Sequence, residues 1–193
     1  SGAGTTQMCI MLAVFMGKVL KKKTAVAGDE VTYSLMLRQM QKAAAIQHKG
    51  IASRHAYSMD GIDYYCGIRD EDIGILRQKY DVIILDISFE NTFDNTNVTF
   101  ARMVSRLSAC DEKILAGSML PWKSRECEKK MERIERFLDI RGLKMVTLAA
   151  CDKEAVSIIK KHGVEVVLIP FERNPFVISG ENLRSFLELL KIT

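Results

Sequence analysis

The sequence predicts an α/β fold: a doubly wound, mainly parallel sheet with helices on both faces, in a single domain of 193 residues. Three observations carry this expectation. Apolar strand segments alternate with helical segments along the whole chain, the pattern of repeated strand–helix crossovers. Residues 82–85, Val-Ile-Ile-Leu, form a continuous apolar run, as a strand buried on both faces requires. No Pro/Gly/Ser-rich linker divides the chain, and no internal repeat or low-complexity segment is present.

The elements follow in order. Residues 7–20 read as an apolar helix directly behind Ser1-Gly2-Ala3-Gly4-Thr5-Thr6. A short strand at 24–27 follows the basic turn Lys21-Lys22-Lys23. Residues 33–47 are rich in Leu, Met, Gln and Ala, so they read as a helix. Residues 50–68 are turn-rich, carry Tyr57, Tyr64 and Tyr65, and leave room for short strands. A short helix at 70–78 leads to the strand 82–85, which ends in Asp86. Residues 89–97 form a polar loop, 99–108 a helix and 113–118 a strand. Residues 124–138 are strong helix formers with a favourable Glu132–Arg136 pair one turn apart. A strand at 144–150, a helix at 152–162, a strand at 165–169 and a closing helix at 182–191 complete the chain. Right-handed crossovers place 24–27, 82–85, 113–118 and 144–150 in one sheet, with 82–85 near its centre.

Composition bounds the function. With 48% apolar and 27% charged residues the chain can bury a full core. A net charge of +4 is too small to argue for a nucleic-acid partner. No apolar run reaches the ~18–20 residues a membrane span needs. The five cysteines are scattered and form no C-x-x-C pair, so they read as free thiols of a reducing cytoplasm. His48, His55 and His162 have no metal-ligand spacing. Lys21-Lys22-Lys23 reads as a solvated turn rather than an anionic-surface contact, and Met36 and Met40 as core or a protein-contact face. Trp122, after Pro121, reads as a loop residue, either a half-buried anchor or a partner contact.

The chemistry concentrates at the N-terminal hexapeptide. Gly2 and Gly4 allow close backbone approach and positive φ, and a helix starts directly behind them. Consecutive N–H groups at a helix start form an anion site, strengthened by the helix dipole. Asp86, at the end of the 82–85 strand, is a candidate magnesium ligand through water. Asp86 also has a plainer reading, a strand-end carboxylate that caps a loop.

These segments resemble the MinD/ParA family of deviant P-loop ATPases. Ser1-Gly2-Ala3-Gly4-Thr5-Thr6-Gln7 is similar to the family's phosphate loop, and Tyr80-Asp81-Val82-Ile83-Ile84-Leu85-Asp86 to its acid-terminated second strand. Asp111–Ser118 resembles the next strand, and Val166-Val167-Leu168-Ile169-Pro170-Phe171-Glu172 the late strand and the loop that borders adenine. The pilus-assembly localisation proteins of the TadZ/CpaE type look nearest within the family. The resemblance implies a P-loop NTPase-like fold, ATP or ADP with magnesium, and protein partners, a second copy of the chain among them. It assigns nucleotide contacts to Gly2, Ala3, Gly4, Thr5, Thr6, Gln7, Pro170 and Phe171. It assigns the metal to Thr6 and Asp86, and the water-positioning acid to Asp29, with the register open by one residue.

The departures decide the activity. Thr5 stands where the family's loop lysine belongs, which removes the point charge that reaches the β- and γ-phosphates. The family's signature lysine would fall just before Ser1, as would the first loop glycine and the first strand. The expectation is therefore that native residues upstream complete the domain. Ile87-Ser88-Phe89 stand where a proline is expected, and Ala149-Ala150-Cys151-Asp152 replace the asparagine that reads adenine. Three readings follow: a cytoplasmic switch or scaffold that positions partners, recruited to a membrane-associated machine, with weak or no hydrolysis; a working ATPase relying on an upstream lysine; and an interaction domain without ligand. Thr5 favours the first.

Overall fold

The computed structural model describes residues 4–28, 44–46, 55–87, 97–118, 120–139, 143–148 and 153–192. They gather into two compact units, one made of Thr6–Ser88 with Asn174–Ile178, the other of Ser1–Thr5, Phe89–Arg173 and Ser179–Thr193. Gly2, Ala3, Asp29 and most of the expected helix 33–47, Met36 and Met40 included, lie outside the described residues.

The first unit carries helix α1 (Thr5–Val14), which continues as a π-helical turn (Phe15–Val19) closed by Leu20 N–H donating to Phe15 O at 3.1 Å. Its strands are β1 (Thr24–Gly28), β2 (Ala44–Ala45), β3 (His55–Met59), β4 (Ile62–Cys66) and β5 (Val82–Leu85), with helix α2 (Asp70–Lys79) before β5. The sheet order is β2-β3-β4-β1-β5, with β1 parallel to β4 and β5. β3 and β4 form an antiparallel hairpin around Asp60-Gly61, at φ 54° and 78°. Two positive φ values are what a tight two-residue hairpin demands, and Asp-Gly supplies them.

Alternation along the strands divides the core. Val26, Ile62, Tyr64, Cys66 and Ile84 pack with Cys9, Ile10, Ala13 and Val14 of α1. Ala25, Ala27 and Tyr65 pack with Leu76 of α2 and with Tyr80. Each helix therefore covers one face, as the two-residue strand period dictates.

The second unit contains α3 (Asn97–Ser108), β6 (Ile114–Ala116), α4 (Pro121–Glu135), β7 (Lys144–Thr147), α5 (Lys153–Lys160), β8 (Glu165–Leu168) and α6 (Gly180–Leu190). β6, β7 and β8 form a parallel three-stranded sheet in that order. Leu115 and Met145 from the strands meet Cys127, Met131 and Ile134 of α4 and Ile159 of α5. Phe100 of α3 meets Phe137 edge-on, ring centroids 5.0 Å apart, under the Arg133 guanidinium.

Four expectations are corrected. The described strands pair in two ladders rather than one sheet. Val82–Leu85 is the outer strand of its ladder, and only Ile84 of it is buried, whereas every residue of β1 is buried. Ala44 and Ala45, expected in a helix, pair with Tyr57 and Ser58 of β3, so sheet pairing overrides their helix propensity. α4 starts at Pro121, so Trp122 belongs to a helix and not to a loop. Proline at the first helical position is preset for that start. Lys23 resolves the basic turn: its N–H donates to Asp81 Oδ2 at 2.8 Å, and its carbonyl accepts from Asp81 and Val82, while Lys21 and Lys22 are exposed.

Candidate functional site: a helix start and a strand-end acid

The site begins where α1 does. Gly4 precedes the helix at φ +76°, a conformation L side chains rarely adopt. A Cβ there would also meet Leu148 Cδ1 at 2.4 Å. Thr5, Thr6 and Gln7 follow, all half-buried, in the turn whose N–H groups have no partner within the helix.

β5 delivers the acid. Leu85 pairs with Ala27, and Asp86 N–H donates to Ala27 O at 2.8 Å, so the ladder to β1 extends one residue and fixes the Asp86 backbone. Asp86 is 8% exposed, and Thr6 Oγ1 donates to its Oδ2 at 2.8 Å across 80 residues of chain. The two residues assigned to a metal are therefore together: the bond ties the helix start to the strand end, and it sets two hard oxygens side by side. Such a pair fits magnesium, which takes one or two protein oxygens and completes its shell with phosphate and water. Among the described residues no group of three His, Cys, Asp or Glu could hold a metal alone. The donor set suits a metal that arrives with its phosphate. No residue of the first turn of α1 is acidic, and the carboxylate against it is that of Asp86, whose charge a bound cation would offset.

Pro170 and Phe171 follow β8, Pro170 half-buried and Phe171 63% exposed. Sequence reasoning missed their support. Asn182, on the first turn of α6, is fully buried, and its Nδ2 donates to Glu172 Oε1 at 3.0 Å. Its N–H donates to Ser179 Oγ at 3.2 Å, a helix cap visible as Ser-x-x-Asn in the sequence. Asn182 Oδ1 accepts no hydrogen bond among the described residues.

A second polar network lies on the α2 face. Tyr80 Oη donates to Asp63 Oδ2 at 2.5 Å and bonds Tyr65 Oη at 2.6 Å. Burial, with Asp63 beside it, pushes the Tyr80 phenol well above its ordinary range, and burial also raises Tyr65 and Tyr64. All three phenols stay neutral at pH 7, and those of Tyr65 and Tyr80 join β4 to the end of α2.

No protein-family profile matches the sequence, and no curated protein matches it. Solved structures do. The MinD cell division protein of Aquifex aeolicus superposes with a TM-score of 0.62 at 14% identity, over 89% of this chain and 78% of that one. Apo McdA of Cyanthece gives a TM-score of 0.63 at 10% identity, over 98% and 95%. A plasmid partition protein of Borrelia burgdorferi B31, bound to AMPPNP, gives 0.59 at 12% identity, over 100% and 93%. The chain has the fold of the MinD and ParA-type proteins. At these identities the likeness is one of fold.

Proposed function

We propose that this chain is a MinD/ParA-like nucleotide switch or scaffold that positions partner proteins in the cytoplasm, at a secretion or pilus machine, and hydrolyses ATP slowly or not at all. The observation that carries the reading is the 2.8 Å bond from Thr6 to Asp86 behind a positive-φ glycine at a helix start. A structural glycine turn needs neither the buried acid nor the hydroxyl aimed at it.

In this reading the N–H groups at the start of α1 receive phosphate oxygens, and Thr6 and Asp86 hold magnesium. Pro170 and Phe171 border the base, and Asp29 is the candidate that orients water. Bound magnesium would neutralise phosphate charge; Thr5 leaves the lysine's share of that work undone. Nucleotide then acts by favouring one conformation, to the extent of its differential affinity for the two. The MinC:MinD complex among the fold's other members supports partner binding as the output, and a second copy of the chain is one partner to test.

Calorimetry with ATP-Mg on the wild type and Asp86→Ala tests the reading, with phosphate release measured on the same samples. The expected result is binding in the wild type, at least about tenfold weaker in the variant, with release at background; tenfold is about 1.4 kcal/mol. A folded wild type that binds no ATP overturns the nucleotide switch and leaves an interaction domain. Fast release abolished by Asp86→Ala makes the protein a working ATPase.

A further inference from the structure

We infer that Asn182 is a positioning residue that holds the loop through Pro170 and Phe171 in the shape a nucleotide base meets. The inference rests on the nucleotide reading above and extends it to a side chain that touches no ligand.

The loop is clamped at both ends. On one side Ile169, fully buried, donates its N–H to Thr147 O of β7 at 3.0 Å. On the other, Glu172 accepts from Asn182 Nδ2 at 3.0 Å. Between the clamps stand Pro170, whose ring fixes φ, and Phe171, whose side chain remains 63% exposed. An exposed aromatic ring on a backbone held at two fixed points is prepared for stacking at a lower ordering cost than one on a free loop.

The amide is committed to this task. A carboxylate only accepts, so the Asn182 NH₂ group must face Glu172. That orientation leaves Oδ1 buried with no donor among the described residues. A buried, unsatisfied acceptor is unfavourable, and an apolar side chain of similar size would avoid it. Helix capping does not account for the amide, because Ser179 already caps α6. What remains is the bond to Glu172.

The experiment compares ATP-Mg with magnesium tripolyphosphate, which has no base, by calorimetry on the wild type and three variants. Asn182→Asp turns the donor into an acceptor facing Glu172 and should weaken ATP about tenfold, leaving tripolyphosphate unchanged. Glu172→Gln still accepts from Asn182 and should bind both like the wild type. Asn182→Asp with Glu172→Gln restores the bond with donor and acceptor exchanged, and ATP affinity should return to within about threefold. If Asn182→Asp does not fold by circular dichroism, Asn182→Ala removes the donor without a buried carboxylate and should show the same split. The inference fails if the folded variant keeps full ATP affinity, if ATP and tripolyphosphate weaken together, or if the double variant gives no recovery. A wild type that binds tripolyphosphate but not ATP also overturns it. A wild type that binds neither takes down the nucleotide reading itself, and this inference with it.

Discussion

Replacing Thr6 with valine removes one hydroxyl and nearly nothing else. The two side chains share shape and β-branching, and their helix propensities are close. What is lost is the 2.8 Å bond to Asp86, whose carboxylate is 8% exposed and cannot turn freely to water. A hydrogen bond to a charged group is worth about 1.5–3 kcal/mol. Thr6 is half-buried, so water replaces part of that bond, and a loss of about 2 kcal/mol is expected. For a chain of this length that is about 4–8 °C in Tm. Urea titration of the wild type, Thr6→Val, Asp86→Ala and the double variant isolates the pair as a coupling energy. The expected coupling is about 1–2 kcal/mol. A coupling below about 0.5 kcal/mol would mean that the two groups do not hold each other in solution, and the site's geometry would have to be abandoned.

Other outcomes are as specific. Thr5→Lys returns a cation to the loop and should tighten ATP-Mg binding by about tenfold or more, one charge-assisted phosphate contact; calorimetry showing no gain refutes the inherited site. Gly4→Ala meets both an unfavourable φ of +76° and Leu148, so its urea midpoint should fall by the equivalent of about 1–2 kcal/mol, and an unchanged midpoint would refute that conformation. In alkali the buried phenols of Tyr64, Tyr65 and Tyr80 should govern stability. Their folded pKa values lie above the ordinary 10.0, so the native state holds protons that the unfolded state releases. Their contribution is complete below pH 10 and declines as pH rises beyond it. Denaturant midpoints that stay flat from pH 9 to 12, while phenolate absorbance grows without unfolding, would contradict their burial.

The fold class was legible because helix and strand periods alternate clearly, and the resemblance to a phosphate loop singled out Thr6 and Asp86, whose side-chain oxygens the structure places 2.8 Å apart. The sequence misled where pattern and environment part. Val82–Leu85 is the more apolar strand, yet it lies at the edge of its ladder, while Thr24–Gly28, an inner strand, has small residues that carry little hydropathy signal and fit closely between two helical layers. Ala44 and Ala45 favour helices intrinsically, and only the neighbouring hairpin makes them a strand. Asp60-Gly61 was a readable hairpin turn, and Pro121 a readable helix start. The Glu172–Asn182 bond was not readable, because nothing in two polar residues ten positions apart says that the loop between them returns.

The bond from Thr6 to Asp86 spans 80 residues, and that separation has a consequence for folding. Closing a loop of that length in a disordered chain costs roughly 4 kcal/mol of entropy before any constant term. One hydrogen bond cannot meet that. The strand pairing of β5 with β1 closes the loop, and the bond forms afterwards, on a frame already built. A ligand held by this pair therefore binds only chains whose sheet is complete. By mass action it withdraws them from the unfolded pool, so occupancy at Thr6 and Asp86 should be read out as slowed amide exchange along β1 and β5, strands whose own residues need not touch the ligand.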